Sequence, residues 1–162
     1  CIIRNPGQWD AFCHAHDGAD RVMQPLIHGE SLSLSALFAD GAAVLLSVNR
    51  QQIEHQADGF ILTGCLVQAI SDPEGYFAAL LRRVAAAMPG LWGYAGIDLI
   101  QDGQEWRVLE INPRLTSSYA GLKAALGINP ARLVLELFRT GRLPCRPESP
   151  LNPVMISWVN HS

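Results

Sequence analysis

The sequence predicts an α+β domain in which an antiparallel sheet carries helices on one face. Three observations predict it. Strand-like runs dominate the early chain and helices the later part, without the regular strand–helix–strand alternation of a parallel sheet. Turn dipeptides such as Asp40-Gly41 sit between neighbouring apolar runs, as hairpins require. With 162 residues, 49% of them hydrophobic and 17% charged, the chain can bury one sizeable core.

The elements follow in order. The opening CIIRN is an apolar, strand-like run without a cap, and it is expected to continue an element begun upstream. PGQWDAFCHAHD, residues 6–17, forms a helix entered at Pro6 and closed before Gly18. RVMQPLI, residues 21–27, is expected to be a strand, broken at His28-Gly29. In SLSLSALF, residues 31–38, Ser and Leu alternate with period two, so one face is apolar and the other small and polar. Asp40-Gly41 turns the chain, and AAVLLSVNRQQI returns as the antiparallel partner. FILTGCLVQAI, residues 60–70, is strand-like, with a loop or bulge marked by Gly64 and Cys65.

Asp72-Pro73-Glu74 caps a helix that runs to about Met88, with Tyr76, Phe77, Leu80, Leu81 and Val84 at helical spacing. Pro89-Gly90 stops it. Strands are expected at 94–100 and 105–112. A helix at 119–126 ends on Gly127, and Asn129-Pro130 opens another to Thr140. The Pro-rich stretch RLPCRPESPLNP then leads to a terminal strand, VMISWV.

Charge narrows the function. The net charge is −3, Lys123 is the one lysine, and no Lys/Arg run exists, so no nucleic-acid partner is expected. No apolar run reaches the ~20 residues that span a bilayer, so no membrane partner is expected and the location is expected to be cytoplasmic. Four cysteines without CxxC spacing fit a reducing compartment. His14 and His16 are expected in a solvated loop, since a His-x-His pair alone is a weak metal signal.

The chemistry concentrates in GYAGIDLIQDGQEWRVLEINPRLTSSYAGL, residues 93–122. Asp98 and Glu110 are twelve residues apart on two strands joined by a turn. They share a face only if the loop has an odd length, and direct opposition implies a loop of three or five residues. Their Cβ atoms would then lie about 4.5–5.5 Å apart. Asn112 falls on the same face. Two carboxylates and a carboxamide are hard oxygen ligands suited to Mg²⁺, which also favours phosphate ligands. Arg114, held after Pro113, can grip phosphate oxygens, and Thr116-Ser117-Ser118 lead into a helix start able to face an anion. The neighbours Ile97, Leu99, Val108, Leu109 and Ile111 are too apolar for an ordinary solvated ribbon. Acids in such surroundings need compensation, and a cation supplies it.

LEINPR, followed by TSSYAGL and preceded by the GxDLI strand, resembles the metal-binding core of the ATP-grasp superfamily. The pattern looks closest to its carboxylate–amine ligase branch, which contains tyramine–glutamate ligase and the pyrrolysine-pathway ligase. The resemblance covers roughly residues 20–140 and implies the C-terminal lobe of an ATP-grasp fold. On that basis residues 1–19 are the tail of a preceding subdomain, 20–140 the catalytic lobe, and 141–162 a Pro-rich linker with a terminal strand. It implies that Asp98 and Glu110 hold one or two magnesium ions, with manganese as a substitute, that Glu110 bridges two ions, and that Asn112 binds the second. Arg114 would steady the transferred phosphoryl group. MQPLIHGES looks like the hinge on which adenine stacks, with the backbone around Gln24 to Leu26 reading its edge and Glu30 accepting from ribose hydroxyls. Asn49, Arg50 and Gln52, on the next strand, could reach phosphate or the acceptor, Arg50 in a catalytic role.

The function implied is ATP- and Mg²⁺-dependent joining of a carboxylate to an amine through an acyl phosphate, with small-molecule substrates and room for a homodimer. The chain is expected to be a fragment, inactive alone. The alternative is a degenerate lobe that binds nucleotide or assembles without catalysis. Two departures from the family stand out. Many relatives carry Arg two before the magnesium Asp, where this sequence has Gly96, and the family's upstream phosphate-binding lysines have no counterpart here.

Overall fold

The computed structural model describes residues 2–16, 22–56, 59–146 and 150–158. The last residue of the expected first helix, the first of the expected strand at 21–27, three residues of the Pro-rich stretch and the end of the terminal strand lie outside the described residues. In chain order the elements are α1 (Pro6–Ala15), β1 (Ser31–Ala39), β2 (Ala42–Gln56), β3 (Gly59–Ile70) and α2 (Tyr76–Ala87). Then come β4 (Gly93–Asp102), β5 (Glu105–Asn112), α3 (Tyr119–Leu126), α4 (Pro130–Thr140) and β6 (Val154–Ser157).

The six strands form one sheet in the order β5-β4-β1-β2-β3-β6, and every neighbouring pair is antiparallel. The Ser/Leu alternation of β1 decides what each face carries. Leu32, Leu34, Ala36 and Phe38 turn to one face and pack with Val48, Ile97 and Leu99 against Phe77, Leu81 and Ala85 of α2. Those three recur every four residues along α2, one stripe of an amphipathic helix. Ser33, Ser35 and Leu37 alternate with them and so turn to the other face. There Leu37, Leu46, Val67 and Tyr94 pack against Leu122, Ala125 and Leu126 of α3 and Leu133 of α4.

The antiparallel sheet with helices is the expected α+β architecture. Its helices, however, are shared between the two faces and not gathered on one. The reason lies in β1. At Leu37 and Phe38 both faces turn apolar, so both need helical cover there. At the Ser33 end the second face stays polar and is left for a site.

Three local expectations differ. Residues 22–30 form no strand: Pro25 offers no N–H, and both flanks of β1 are already taken by β2 and β4. The segment is tied to the sheet where the Glu30 carbonyl accepts from the Gln101 N–H at 2.9 Å. His14 and His16 are at the end of α1 and not in a loop, each ring Nδ1 facing a backbone carbonyl four residues back. Asp72-Pro73-Glu74 makes a turn before α2, and the Asp72 carboxylate reaches forward to cap the N–H groups of Phe77 (3.2 Å) and Ala78 (2.9 Å).

Candidate metal and phosphate site

The β4–β5 hairpin solves the parity problem differently from the expected wide loop. Asp102 pairs with Glu105 across a two-residue turn, Gly103-Gln104, with Gly103 at φ +64. That turn alone would set Asp98 opposite Leu109, with Glu110 on the wrong face. A bulge between Asp98 and Leu99 inserts one extra residue on β5 and brings Glu110 directly opposite Asp98. Asn112 follows on the same face, opposite Gly96, and is buried.

The two carboxylates therefore face each other, Asp98 half-buried and Glu110 exposed. The Asn112 amide donates to Asp98 Oδ2 at 3.2 Å, and the Gln51 amide donates to Oδ1 at 3.0 Å. Burial, and then the negative charge of Glu110, pushes the Asp98 carboxyl above its usual range. The hydrogen bonds from Gln51 and Asn112 and the nearby Arg114 charge act the other way. Cys65 shares the cleft. Burial, followed by the Asp98 charge, raises its thiol pKa to about 11, so it stays protonated at neutral pH.

The cleft is open and holds about 150 Å³, below the roughly 300–1,000 Å³ of pockets that enclose a whole small ligand. It is lined by Asp98, Glu110, Asn112 and Arg114 of the hairpin and the turn after it, by Ser33, Gln51, Leu62 and Cys65 of the neighbouring strands, and by the Thr116–Ser118 turn. Such a volume suits an ion with its phosphate oxygens. Among the described residues no cluster of three His, Cys, Asp or Glu exists that could hold a metal. The donor set is two carboxylates with carboxamides, hard ligands of the kind Mg²⁺ accepts while keeping water and phosphate oxygens. A divalent cation would also reverse the mutual repulsion that raises Asp98. The residues present fit the ion.

The loop after β5 is pinned from below. Tyr94 donates its hydroxyl to Ser35 Oγ at 3.1 Å and lies 3.0 Å from Thr116 Oγ1, which is 3.1 Å from Ser118 Oγ. Thr116 sits where a side chain at position 96 would otherwise project: a Cβ on Gly96 would come within 2.4 Å of Thr116 Cγ2. The absence of a side chain at Gly96 thus makes room for the loop bearing Arg114. Arg114 itself is exposed, one guanidinium nitrogen 3.4 Å from the Leu115 carbonyl.

Other expected residues stand apart. Arg50 is opposite Leu32 on β1, hence on the α2 face and away from Asp98, and its guanidinium pairs with Glu30. A direct role for Arg50 at the phosphate is therefore not what this geometry offers. Asn49 faces the site side but is fully buried beneath it. Its amide donates to Ser33 and Ser35, and its oxygen accepts from Ser47 and the Gln68 N–H. Gln24 and Leu26 lie on the exposed segment 22–30 and do not line the cleft. Sequence reasoning missed Gln51 and Ser33, whereas Thr116, expected near an anion, does line the cleft. The small polar face of SLSLS was the available signal for Ser33, whereas Gln51 becomes visible only when β2 and β4 are seen to flank β1.

The sequence profile of the ATP-grasp domain family matches residues 3–118. The chain is 33% identical over 102 residues to the tyramine–L-glutamate ligase of Methanocaldococcus fervens, a match covering 63% of this chain and 33% of that protein. The chain spans about a third of the length of the curated relatives it matches. It superimposes on an ATP-grasp superfamily protein from Archaeoglobus fulgidus with a TM-score of 0.63 and 27% identity, over 83% of this chain and 40% of that one. The N5-carboxyaminoimidazole ribonucleotide synthetase of Thermus thermophilus gives a TM-score of 0.70 at 18% identity, over 96% of this chain and 42% of that one, a likeness of fold. No helix among the described residues is long and apolar enough to cross a membrane.

Proposed function

The chain belongs to the ATP-grasp domain family, and from that premise we propose that it forms the magnesium- and phosphate-handling lobe of an ATP-dependent carboxylate–amine ligase. One observation carries the reading: Asp98 and Glu110 are paired face to face, Asn112 is bonded to Asp98, and Arg114 lies two residues beyond Asn112. A relative named for joining tyramine to L-glutamate supports an amine and a carboxylate as substrates.

In the proposed reaction the γ-phosphoryl group of ATP passes to a substrate carboxylate, giving an acyl phosphate and ADP. The amine nitrogen then attacks the acyl carbon, phosphate leaves, and the nitrogen loses a proton. Asp98, Glu110 and Asn112 would hold one or two Mg²⁺ ions, which neutralise charge on the phosphates when bound. Arg114 is exposed, its side chain held by a long contact to the Leu115 carbonyl and near the Asp98 charge, and its guanidinium can meet phosphoryl oxygens bidentately. The hydroxyl set of Tyr94, Thr116 and Ser118 keeps its loop in place. With little covalent chemistry asked of the protein, catalysis here is positioning and electrostatics.

Isothermal titration with ADP and Mg²⁺ tests the binding core. Saturable heat in the parent chain that disappears in Glu110→Ala supports it, and equal heat in both overturns it. A second reading, a nucleotide-binding module without turnover, is favoured by one feature: among the described residues Arg114 is the sole cationic side chain lining the cleft. Release of ADP and phosphate in the presence of amine and carboxylate separates the two readings.

A further inference from the structure

Asp98 is gripped from two directions, and only one of them is local. Asn112 reaches it from β5, the adjacent strand. Gln51 reaches it from β2, which is not adjacent, because β1 lies between β2 and β4. Two strand spacings separate their backbones, about 9–10 Å. A side chain crosses that gap only if the intervening strand leaves space on that face. The β1 residue opposite Asp98 is Ser33, and the same Ser33 is opposite Asn49 on β2. Its short side chain is 5% exposed and is held by the Asn49 amide at 3.3 Å. The Ser/Leu alternation thereby leaves small polar side chains on this face of β1, and Gln51, two residues along β2 from Asn49, reaches diagonally over them to Asp98. On the far side Gln51 is paired with Cys65, a second small side chain.

We infer that Gln51 is a positioning residue for cation binding: its amide reaches across β1 and sets the orientation in which Asp98 meets the ion. The inference rests on the cation site proposed above. A carboxylate has about four lone-pair positions. Gln51 and Asn112 each occupy one, on different oxygens, which fixes the carboxylate plane and leaves positions open toward the cleft. Hydrogen bonds of this kind behind a metal ligand contribute about 10–100-fold in metal affinity. Gln51 is polar and only partly buried, so it adds little to the apolar packing on either face.

The test is Mn²⁺ titration, followed by loss of the free-ion EPR signal, on the parent chain and three variants, with thermal unfolding of each metal-free protein. Gln51→Met keeps the length and removes the donor, and Gln51→Asn keeps the donor but is one carbon too short. Both are expected to weaken Mn²⁺ binding about tenfold or more with Tm essentially unchanged. Asp98→Asn is expected to abolish binding. Parent-like affinity in either Gln51 variant overturns the assignment. So does an affinity loss matched by a large fall in Tm, which would make Gln51 a folding residue. Parent-like affinity in Asp98→Asn overturns the cation site itself, a separate failure.

Discussion

Replacing Gly96 by alanine probes how the loop carrying Arg114 is held. The added Cβ would lie 2.4 Å from Thr116 Cγ2 and 3.2 Å from Thr116 Oγ1. Carbons in contact sit about 3.5–4.0 Å apart, so one partner must retreat by about 1 Å or more. β4 cannot retreat easily, because Gly96 is paired with Ser35 on one side and Asn112 on the other. Thr116 must turn or lift, and either motion disrupts its contacts with Tyr94 at 3.0 Å and Ser118 at 3.1 Å. Overpacking costs about 1–3 kcal/mol and each lost hydrogen bond about 0.5–1.5 kcal/mol, together about 2–6 kcal/mol. At about 2–4 °C of Tm per kcal/mol for a chain of this size, the fall is on the order of 10 °C. Chemical unfolding of the parent, Gly96→Ala, Thr116→Ser and the double variant measures it. Thr116→Ser deletes the clashing methyl and retains the hydroxyl, so the double variant should recover the steric part, a coupling of about 1–3 kcal/mol. Additive losses, or a Gly96→Ala variant within about 0.5 kcal/mol of the parent, would refute this account of the loop.

Two further outcomes are expected. Asp98 binds its proton more tightly folded than unfolded, so its stabilising share is present below the ordinary value of 3.8 and is lost as pH rises through the raised one. Asp98→Asn, which does not titrate, should therefore gain on the parent in Tm as pH rises from about 4 to about 7, and a constant or reversed gap would contradict the buried, repelled carboxylate. Asp72→Ala removes the cap on two α2 N–H groups and should cost about 1 kcal/mol. An unchanged denaturation midpoint would show that the turn before α2 holds without it.

Much of this protein was legible in its residues one after another. Period-two alternation located β1, Asp40-Gly41 its hairpin, Asn129-Pro130 the start of α4 and Gly127 the end of α3, because these signals act through neighbours within a few residues. The spacing of Asp98, Glu110, Asn112 and Arg114 likewise marked four residues that line one cleft, since all four lie on a single hairpin and the turn that follows it. Local signals misjudged RVMQPLI: its apolar content suggests a strand, yet a strand needs an unoccupied partner, and β1 had none to offer.

Only the tertiary structure decided the rest. Strand order placed β2 and β4 on either side of β1, and the register between them sends Arg50 to the far face and brings Gln51 to Asp98 across β1. A bulge, not a wide loop, set the two carboxylates opposite each other. The close approach of Thr116 to Gly96 depends on two segments that are distant in sequence. The physical reason is range. Propensity, capping and alternation act over a few residues, while a side chain's partners are chosen by sheet order and register, which the whole chain settles together.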